Sequence, residues 1–191
     1  MAEYQRAPTI EGIREDHVSR YRWAARSCAG LRVLDVGCGC GYGAAILAEA
    51  ARSVIGLDRN PEALAFARAH YSTSDRITWG HAELPCRLPE ADAVTCFELL
   101  EHLEDDLGAL REMHAARAQQ LLVSVPNEAA LPFAAGGFPY HKRHYTIGQI
   151  ATRLEAEGWA PIVVMGQRDA KAPVCAFSGS DRTIVMRCIR K

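Results

Sequence analysis

Apolar positions alternate between two rhythms along the 191 residues. Short runs rich in Val, Ile, Leu and Cys predict strands at 31–36, 53–58, 76–79, 92–97, 120–125, 159–166 and 182–190. Between them the apolar positions fall at helical spacing. Ile13, His17, Tyr21, Ala25 and Cys28 predict a helix over 13–29, and further helices are expected near 43–51, 61–70, 104–117 and 147–157. Asn60-Pro61-Glu62 has the chemistry of a helix start: a capping side chain, a first-turn proline and an acid. Residues 126–145 are expected to be a long loop with three prolines, two glycines and four aromatics. Strands alternating with helices imply an α/β fold with a mostly parallel, Rossmann-like sheet covered by helices on both faces. Ligands of such sheets bind outside the carboxyl ends of the strands. Asp35, Asp58, the loop after Trp79, the segment after Phe97 and the loop after Val125 all fall at such ends.

Chemistry concentrates first at Val33-Leu-Asp-Val-Gly-Cys-Gly-Cys-Gly-Tyr-Gly43. Glycines let a backbone turn sharply and let a ligand approach it closely, and the helix that follows presents unpaired N–H groups. Asp35 selects among ligands. A carboxylate would repel a pyrophosphate but suits a ligand bearing an ammonium, such as S-adenosylmethionine (SAM). The dinucleotide fingerprint Gly-x-Gly-x-x-Gly fails when counted from Gly37, where it falls on Tyr42, and is a tolerable but weaker match from Gly39, where it falls on Ala44.

Composition adds limits. The chain is 49% hydrophobic and 24% charged, as globular domains are, and its length suits one domain. A net charge of −1 favours neither nucleic acid nor an anionic membrane. No apolar run approaches the ~20 residues of a membrane span, and the N-terminus lacks the apolar core of a secretory leader. Seven cysteines without a Cys-x-x-Cys pair read as reduced, buried thiols of a cytoplasmic protein.

On these residues the chain resembles the class I SAM-dependent methyltransferases, over nearly its whole length from about His17 to the last strand. The resemblance implies a single domain over 1–191, with a helical cap at 1–30 and a substrate-side loop at 126–146. It also implies a seven-stranded sheet with the last strand antiparallel. Leu34-Asp-Val-Gly-Cys-Gly-Cys-Gly41 is similar to the family's first motif, so Asp35, Gly37, Cys38, Gly39 and Gly41 would surround the methionine part of SAM. Asp58, followed by Arg59, matches the acid that holds the ribose hydroxyls. A carboxylate suits that task because it can accept from both arms of a diol. Gly80-His81-Ala82-Glu83 resembles the adenine segment, although many relatives carry Asp where His81 stands; Glu83 or the backbone at Ala82 could supply the contact.

Phe97-Glu98-Leu-Leu-Glu101-His102 is similar to the family segment bordering SAM and the acceptor. Read as a helix, it puts Glu98 and His102 on one face. Some ubiquinone-type and small-RNA methyltransferases bind a divalent metal through such a Glu…Glu-His set, and His141 or His144 could complete it here. The metal-free reading is preferred, because Glu-His occurs in many metal-free relatives. Asp16-His17-x-x-Arg20-Tyr21, Gly-Tyr-Gly at 41–43 and Ser124-Val-Pro-Asn127 look like a branch associated with glycans or sugar nucleotides. His102 or His141, with His144 as second choice, is expected to accept the acceptor's proton, since an imidazole is a base near neutral pH. Tyr4, Tyr21 and Trp23 are either an aromatic lid or core.

The resulting expectation is methyl transfer from SAM to an oxygen of a small-molecule, glycan or sugar-nucleotide acceptor. Metal-assisted methylation of an RNA 2′-oxygen is the alternative within the family. A SAM-binding protein without catalysis and an NAD-linked oxidoreductase are the alternatives outside it. No membrane partner is expected, nucleic acid is less favoured, and a homodimer stays open.

Overall fold

The computed structural model describes residues 4–72 and 74–191; the first three residues of the segment read above for a leader lie outside them. The sheet contains β1 (Arg32–Val36), β2 (Ser53–Asp58), β3 (Ile77–His81), β4 (Ala93–Phe97), β5 (Gln120–Pro126), β6 (Trp159–Gln167), β7 (Cys175–Ala176) and β8 (Thr183–Arg190). Their order is β3-β2-β1-β4-β5-β8-β6-β7. The first five pair in parallel, and β8 lies antiparallel between β5 and β6. The fold is therefore the expected α/β sheet with an antiparallel insertion, with eight strands rather than seven. The extra strand is the two-residue β7, which pairs with Met165 and Gly166 of β6 and is too short to carry a periodic signal.

The central strands are buried on both faces, as β4 and β5 are along their whole lengths, which is why they read as continuous apolar runs. The helices are α1 (Glu15–Ser27), α2 (Tyr42–Ala48), α3 (Pro61–Tyr71), α4 (Asp106–Ala115) and α5 (Ile147–Ala156). One core lies under α1 and α2 and includes Tyr21, Val33, Leu47 and Phe97. The other lies under α4 and α5 and includes Leu34, Leu110, Leu121 and Trp159. α3 starts as its sequence predicts, with the Asn60 side chain accepting from the Glu62 and Ala63 N–H groups and Pro61 in the first turn. All seven cysteines are free, and five of them are buried. Among the described residues, no helix is long and apolar enough to cross a membrane.

One local expectation fails. The segment after β4 is not an α-helix: Glu98 adopts a left-handed φ of 51°, and only Leu100–His102 form a short 3₁₀ turn. Glu98 and His102 therefore do not share a helix face. Tyr21 belongs to the core, with its ring edge-on to Phe97 and Tyr42.

Candidate active site at the carboxyl edge of the sheet

A cavity of about 450 Å³ opens at the carboxyl ends of the parallel strands. Its floor is the turn after β1. There Gly37 donates its N–H to the Leu57 carbonyl at 2.8 Å, and Gly39 donates its N–H to Asp58 Oδ2 at 2.8 Å. Gly41 ends the turn at φ +94°, where a Cβ would lie 2.6 Å from that of Ala67 and 2.7 Å from the Trp79 ring. Both the conformation and the space exclude a side chain there.

Asp58, at the end of β2, has a fixed carboxylate. Besides the Gly39 contact, Oδ1 accepts from the Asn60 N–H at 2.9 Å and from the Tyr4 hydroxyl at 3.2 Å. The Tyr4 ring lies against Gly39, so the N-terminal segment crosses this end of the cavity.

Asp35 lies behind the floor, completely buried. Its Oδ1 accepts from the Tyr21 hydroxyl at 3.0 Å and from the Thr95 hydroxyl at 2.8 Å, while Oδ2 has no partner. Burial pushes its pKa up from 3.8 to about 7, against those two hydrogen bonds. Arg20 of α1 is its counterpart. Only 1% of Arg20 is exposed, and none of its guanidinium nitrogens makes a hydrogen bond. Its nearest charges are Glu98 at 3.4 Å and Asp16 at 3.9 Å, both in the cavity wall.

Glu98 is held by its neighbours. Its N–H donates to Ser124, and the Ser124 hydroxyl donates back to its carboxylate at 2.8 Å. A left-handed non-glycine residue is strained and persists only where its surroundings enforce it. Glu101 is fully buried, and neither of its carboxylate oxygens has a hydrogen-bond partner. Burial, reinforced by Glu98, raises its pKa well above the usual carboxylate range. Its backbone carbonyl accepts from the Lys142 N–H at 2.7 Å, tying this segment to the loop after β5.

That loop brings His141 beside His102, ring centroids 4.7 Å apart. His102 Nδ1 lies 3.1 Å from the Tyr140 carbonyl. His141 Nδ1 lies 2.8 Å from His144 Nε2, and His144 Nδ1 lies 2.6 Å from the Leu131 carbonyl. Burial, then His102 and His144, depress the His141 pKa to about 4, so this imidazole is neutral at neutral pH. Ligand atoms of Glu101, His102 and His141 all fall within 4.8 Å of one another.

The cavity wall thus brings together Gly37, Cys38, Gly39, Asp58, Arg59, Ala82, Phe97, Glu98, His102 and His141 of the residues singled out by sequence. Asp35, Gly41, His81, Glu83 and His144 lie outside it. Asp35 is fully buried beneath the floor, Gly41 ends its turn, His81 and Glu83 are exposed, and the His144 side chain is sealed from solvent. The wall also contains residues to which the sequence assigned no role. His17, bonded through Nδ1 to the Tyr42 hydroxyl at 2.7 Å, comes from α1. Asp169 and Arg182 come from the distant β6–β8 connection and Thr183 from the start of β8. His17 and Arg20 belong to the Asp16-His17-x-x-Arg20-Tyr21 pattern, a signal that was visible. The β6–β8 residues carry none.

Comparison with known proteins agrees with this geometry. A family model described as a methyltransferase domain matches residues 34–119. A probable SAM-dependent methyltransferase of Mycolicibacterium smegmatis is 35% identical over 163 residues, which is 79% of this chain and 63% of that protein. A Mycobacterium tuberculosis relative with the same description is 32% identical over 158 residues, 78% of this chain and 56% of that protein. The chain therefore spans about three-fifths of the length of these relatives. The ubiquinone biosynthesis O-methyltransferase of Aliivibrio fischeri is 41% identical over only 95 residues, 46% of this chain and 39% of that protein. Among solved structures, the CcbJ methyltransferase of Streptomyces caelestis superposes with a TM-score of 0.77 at 17% identity, covering 98% of this chain and 94% of that one. The magnesium protoporphyrin IX methyltransferase of Synechocystis, solved with bound S-adenosylhomocysteine (SAH), gives 0.69 at 19% identity, covering 91% and 80%. The chain carries a class I SAM-dependent methyltransferase domain and belongs to that family.

Proposed function

We propose that this chain binds SAM in the cavity and catalyses transfer of its methyl group to an oxygen of a small-molecule, glycan or sugar-nucleotide acceptor. One observation carries the reading. Asp35 and Arg20, both buried, sit behind the same cavity with unfilled hydrogen-bonding capacity and opposite charge. Arg20 is ion-paired with Glu98 and Asp16 but makes no hydrogen bond, and one oxygen of Asp35 has no partner. Buried polar groups without hydrogen bonds are costly, and a ligand carrying both an ammonium and a carboxylate would supply them to the two together. The amino-acid end of SAM is such a ligand. Asp58 fits the ribose: a carboxylate offers about four acceptor sites, two backbone N–H groups fix it, and the Tyr4 hydroxyl can yield its place to a diol.

SAM would supply a methyl group already activated by a sulfonium, so the protein has to position, exclude water and accept a proton. Asp58 would hold the ribose, Asp35 the ammonium and Arg20 the carboxylate. His141, neutral and in the wall, would accept the proton of the acceptor hydroxyl, with His102 beside it. A cavity of about 450 Å³ and a net charge of −1 favour a compact acceptor over a polynucleotide.

The test is transfer of labelled methyl from SAM into host extract, half of it treated with nuclease beforehand. Label surviving nuclease supports the reading. Loss of label with nuclease makes the acceptor a nucleic acid, and no binding of SAH sinks the reading altogether.

A second reading, metal-assisted transfer to an RNA 2′-oxygen, is favoured by the Glu101, His102 and His141 cluster and the unpartnered Glu101 carboxylate. Those three residues would hold the ion, and a divalent cation there would lower the pKa of an acceptor hydroxyl. Calorimetric titration with Mn²⁺ or Zn²⁺, lost in Glu101→Gln, would support it.

A further inference from the structure

We infer that Arg182 anchors the methyl acceptor, and that the acceptor therefore carries an anionic oxyacid group, a carboxylate or a phosphate, away from the hydroxyl that is methylated. The inference rests on the proposed methyl transfer for what happens at that hydroxyl. The anion site itself follows from the wall around Arg182.

The cations of the wall differ in what they already hold. Arg14 is committed to Asp16, its Nε donating to Oδ1 at 3.0 Å. Arg20 lies between Glu98 and Asp16. Arg182 lines the same cavity and is exposed, and its guanidinium has no hydrogen bond, ion pair or aromatic ring as partner among the described residues.

An unpaired arginine on a loose surface loop is ordinary. This one stands on a built platform. Its carbonyl accepts from the Asn127 N–H at 2.8 Å. The buried Asn127 side chain donates to the carbonyls of Asp181 at 2.8 Å and Gly179 at 3.1 Å. The buried Asp181 carboxylate accepts from the Ser178 N–H at 2.7 Å and from its hydroxyl at 3.0 Å. On the other side Thr183 begins β8, in register with Pro126. Two buried, fully engaged polar side chains thus fix the backbone around a residue whose own charge is left open. A cation whose backbone is already ordered binds an anion at a lower entropic cost.

Position separates Arg182 from the cofactor end. The glycine turn follows β1, Asp58 ends β2 and Glu98 follows β4. In the sheet order, β8 lies beyond β4 on the side away from β1, two strands from β4 and three from β1. At ~4.8 Å per strand these are about 10 Å and about 14 Å. An acceptor running from Arg182 to His102 and His141 is therefore compact. Charge sets its direction. Asp58 and Glu98 repel an anion at the cofactor end, whereas the Asp16 carboxylate nearer Arg182 is offset by Arg14. Asp169, in the same connection as Arg182, has its Oδ1 bound by the Lys171 N–H at 2.8 Å. The guanidinium fork fits carboxylate and phosphate alike.

The test starts with binding and needs no known acceptor. Benzoate, phenyl phosphate and neutral benzyl alcohol are titrated at low salt into the wild type, Arg182→Gln and Arg182→Lys, with and without SAH, and followed by amide chemical shifts. At least one anion should bind the wild type and bind Arg182→Gln about tenfold or more weakly, the loss expected for a charged hydrogen bond. Arg182→Lys should fall between them, and benzyl alcohol should not distinguish the three proteins. Which anion responds tells carboxylate from phosphate. SAH affinity should stay within about twofold in both variants, as for a separate site. With extract as the source of acceptor, Arg182→Gln should raise the amount needed for half-maximal rate about tenfold or more while the maximal rate holds. The labelled product should be retained on an anion exchanger.

The inference is overturned if neither anion binds the wild type, if Arg182→Gln binds both as the wild type does, or if the labelled product passes the exchanger unretained. A tenfold loss of SAH affinity in Arg182→Gln also overturns it, by giving the arginine to the cofactor. Failure of the wild type to bind SAH removes the methyltransferase reading instead, and leaves Arg182-dependent anion binding standing.

Discussion

Replacing Asp35 by Asn should make the ligand-free protein more stable at pH 8 and the ligand-bound protein harder to form. The Asp35 carboxyl is fully buried, and its pKa is raised from 3.8 to about 7. Folding therefore has to hold a proton, or bear a charge, that the unfolded chain does not. Between those two values the folded state binds more protons than the unfolded state, so stability falls as pH rises from about 4 to 7 and is flat above. Three pKa units at 1.36 kcal/mol each put the full cost at about 4 kcal/mol, as a ceiling. At pH 5.5 only about half of that cost has accrued, so roughly 2 kcal/mol separates pH 5.5 from pH 8. Asn keeps the oxygen that accepts from Tyr21 and Thr95, and places its NH₂ where Oδ2 has no partner. The new unpartnered amide costs about 1–3 kcal/mol at either pH.

The assay is thermal unfolding of both proteins at the two pH values without ligand. For a chain of this size 1 kcal/mol moves Tm by about 2–4 °C. The difference in Tm between variant and wild type should therefore be about 4–8 °C more favourable to the variant at pH 8 than at pH 5.5. Other titrating groups cancel in this double difference. Ligand binding should move the opposite way. An ammonium ligand needs the ionised carboxylate, so wild-type affinity for SAH should fall about 30-fold from pH 8 to pH 5.5, while the variant binds weakly at both. An equal Tm difference at both pH values would refute the burial argument. SAH affinity in the variant equal to that of the wild type would refute the role given to Oδ2.

The Asp58→Asn variant should lose about 10–100-fold in SAH affinity by calorimetry, since an amide gives up one acceptor and turns a donor toward Gly39 or the diol. In Tyr4→Phe the hydroxyl that occupies Asp58 is gone, so SAH affinity should rise a few-fold; a fall would mean that Tyr4 is part of the binding surface. Gly43→Ala puts a methyl 2.1 Å from Cζ of Tyr21 and pushes the ring off Asp35, so chemical denaturation should register a loss of about 1–3 kcal/mol. The Tyr145 hydroxyl donates to Asp106 at 2.8 Å and is buried, so Tyr145→Phe should cost about 1–3 kcal/mol, with SAH binding preserved.

Much of the fold was legible because it depends on patterns that local sequence carries. The parallel strands are apolar throughout because both faces are covered, and Asn60-Pro61 caps α3 with the residues that chemistry prefers. The glycines of the β1 turn were legible for the same reason: at Gly41 neither φ nor space admits a side chain. The segment after Phe97 was not. Glu98 takes a left-handed conformation that residue type does not announce, and it holds there through Ser124 and Arg20, which lie far away in sequence. The wall residues Asp169, Arg182 and Thr183 were invisible too, because β8 inserts between β5 and β6 and delivers its connection to the cavity.

The deeper limit concerns burial. Sequence gives the letters Asp35, Arg20, Glu101 and His144 but not whether water reaches them, and their chemistry turns on that. In water an arginine or a carboxylate satisfies itself. Behind this cavity Arg20 makes no hydrogen bond, Asp35 keeps one oxygen unfilled, and Glu101 keeps two. A chain selected for stability alone would replace such groups with apolar ones of similar volume, often at no loss. Their concentration around one cavity, and at few other places among the described residues, is what separates a glycine-rich turn that merely folds from one arranged around a charged ligand. His144 carries the same lesson in the opposite direction. Its sequence position beside His141, Lys142 and Arg143 suggests a solvated basic loop, yet its side chain is sealed from solvent between His141 and the Leu131 carbonyl.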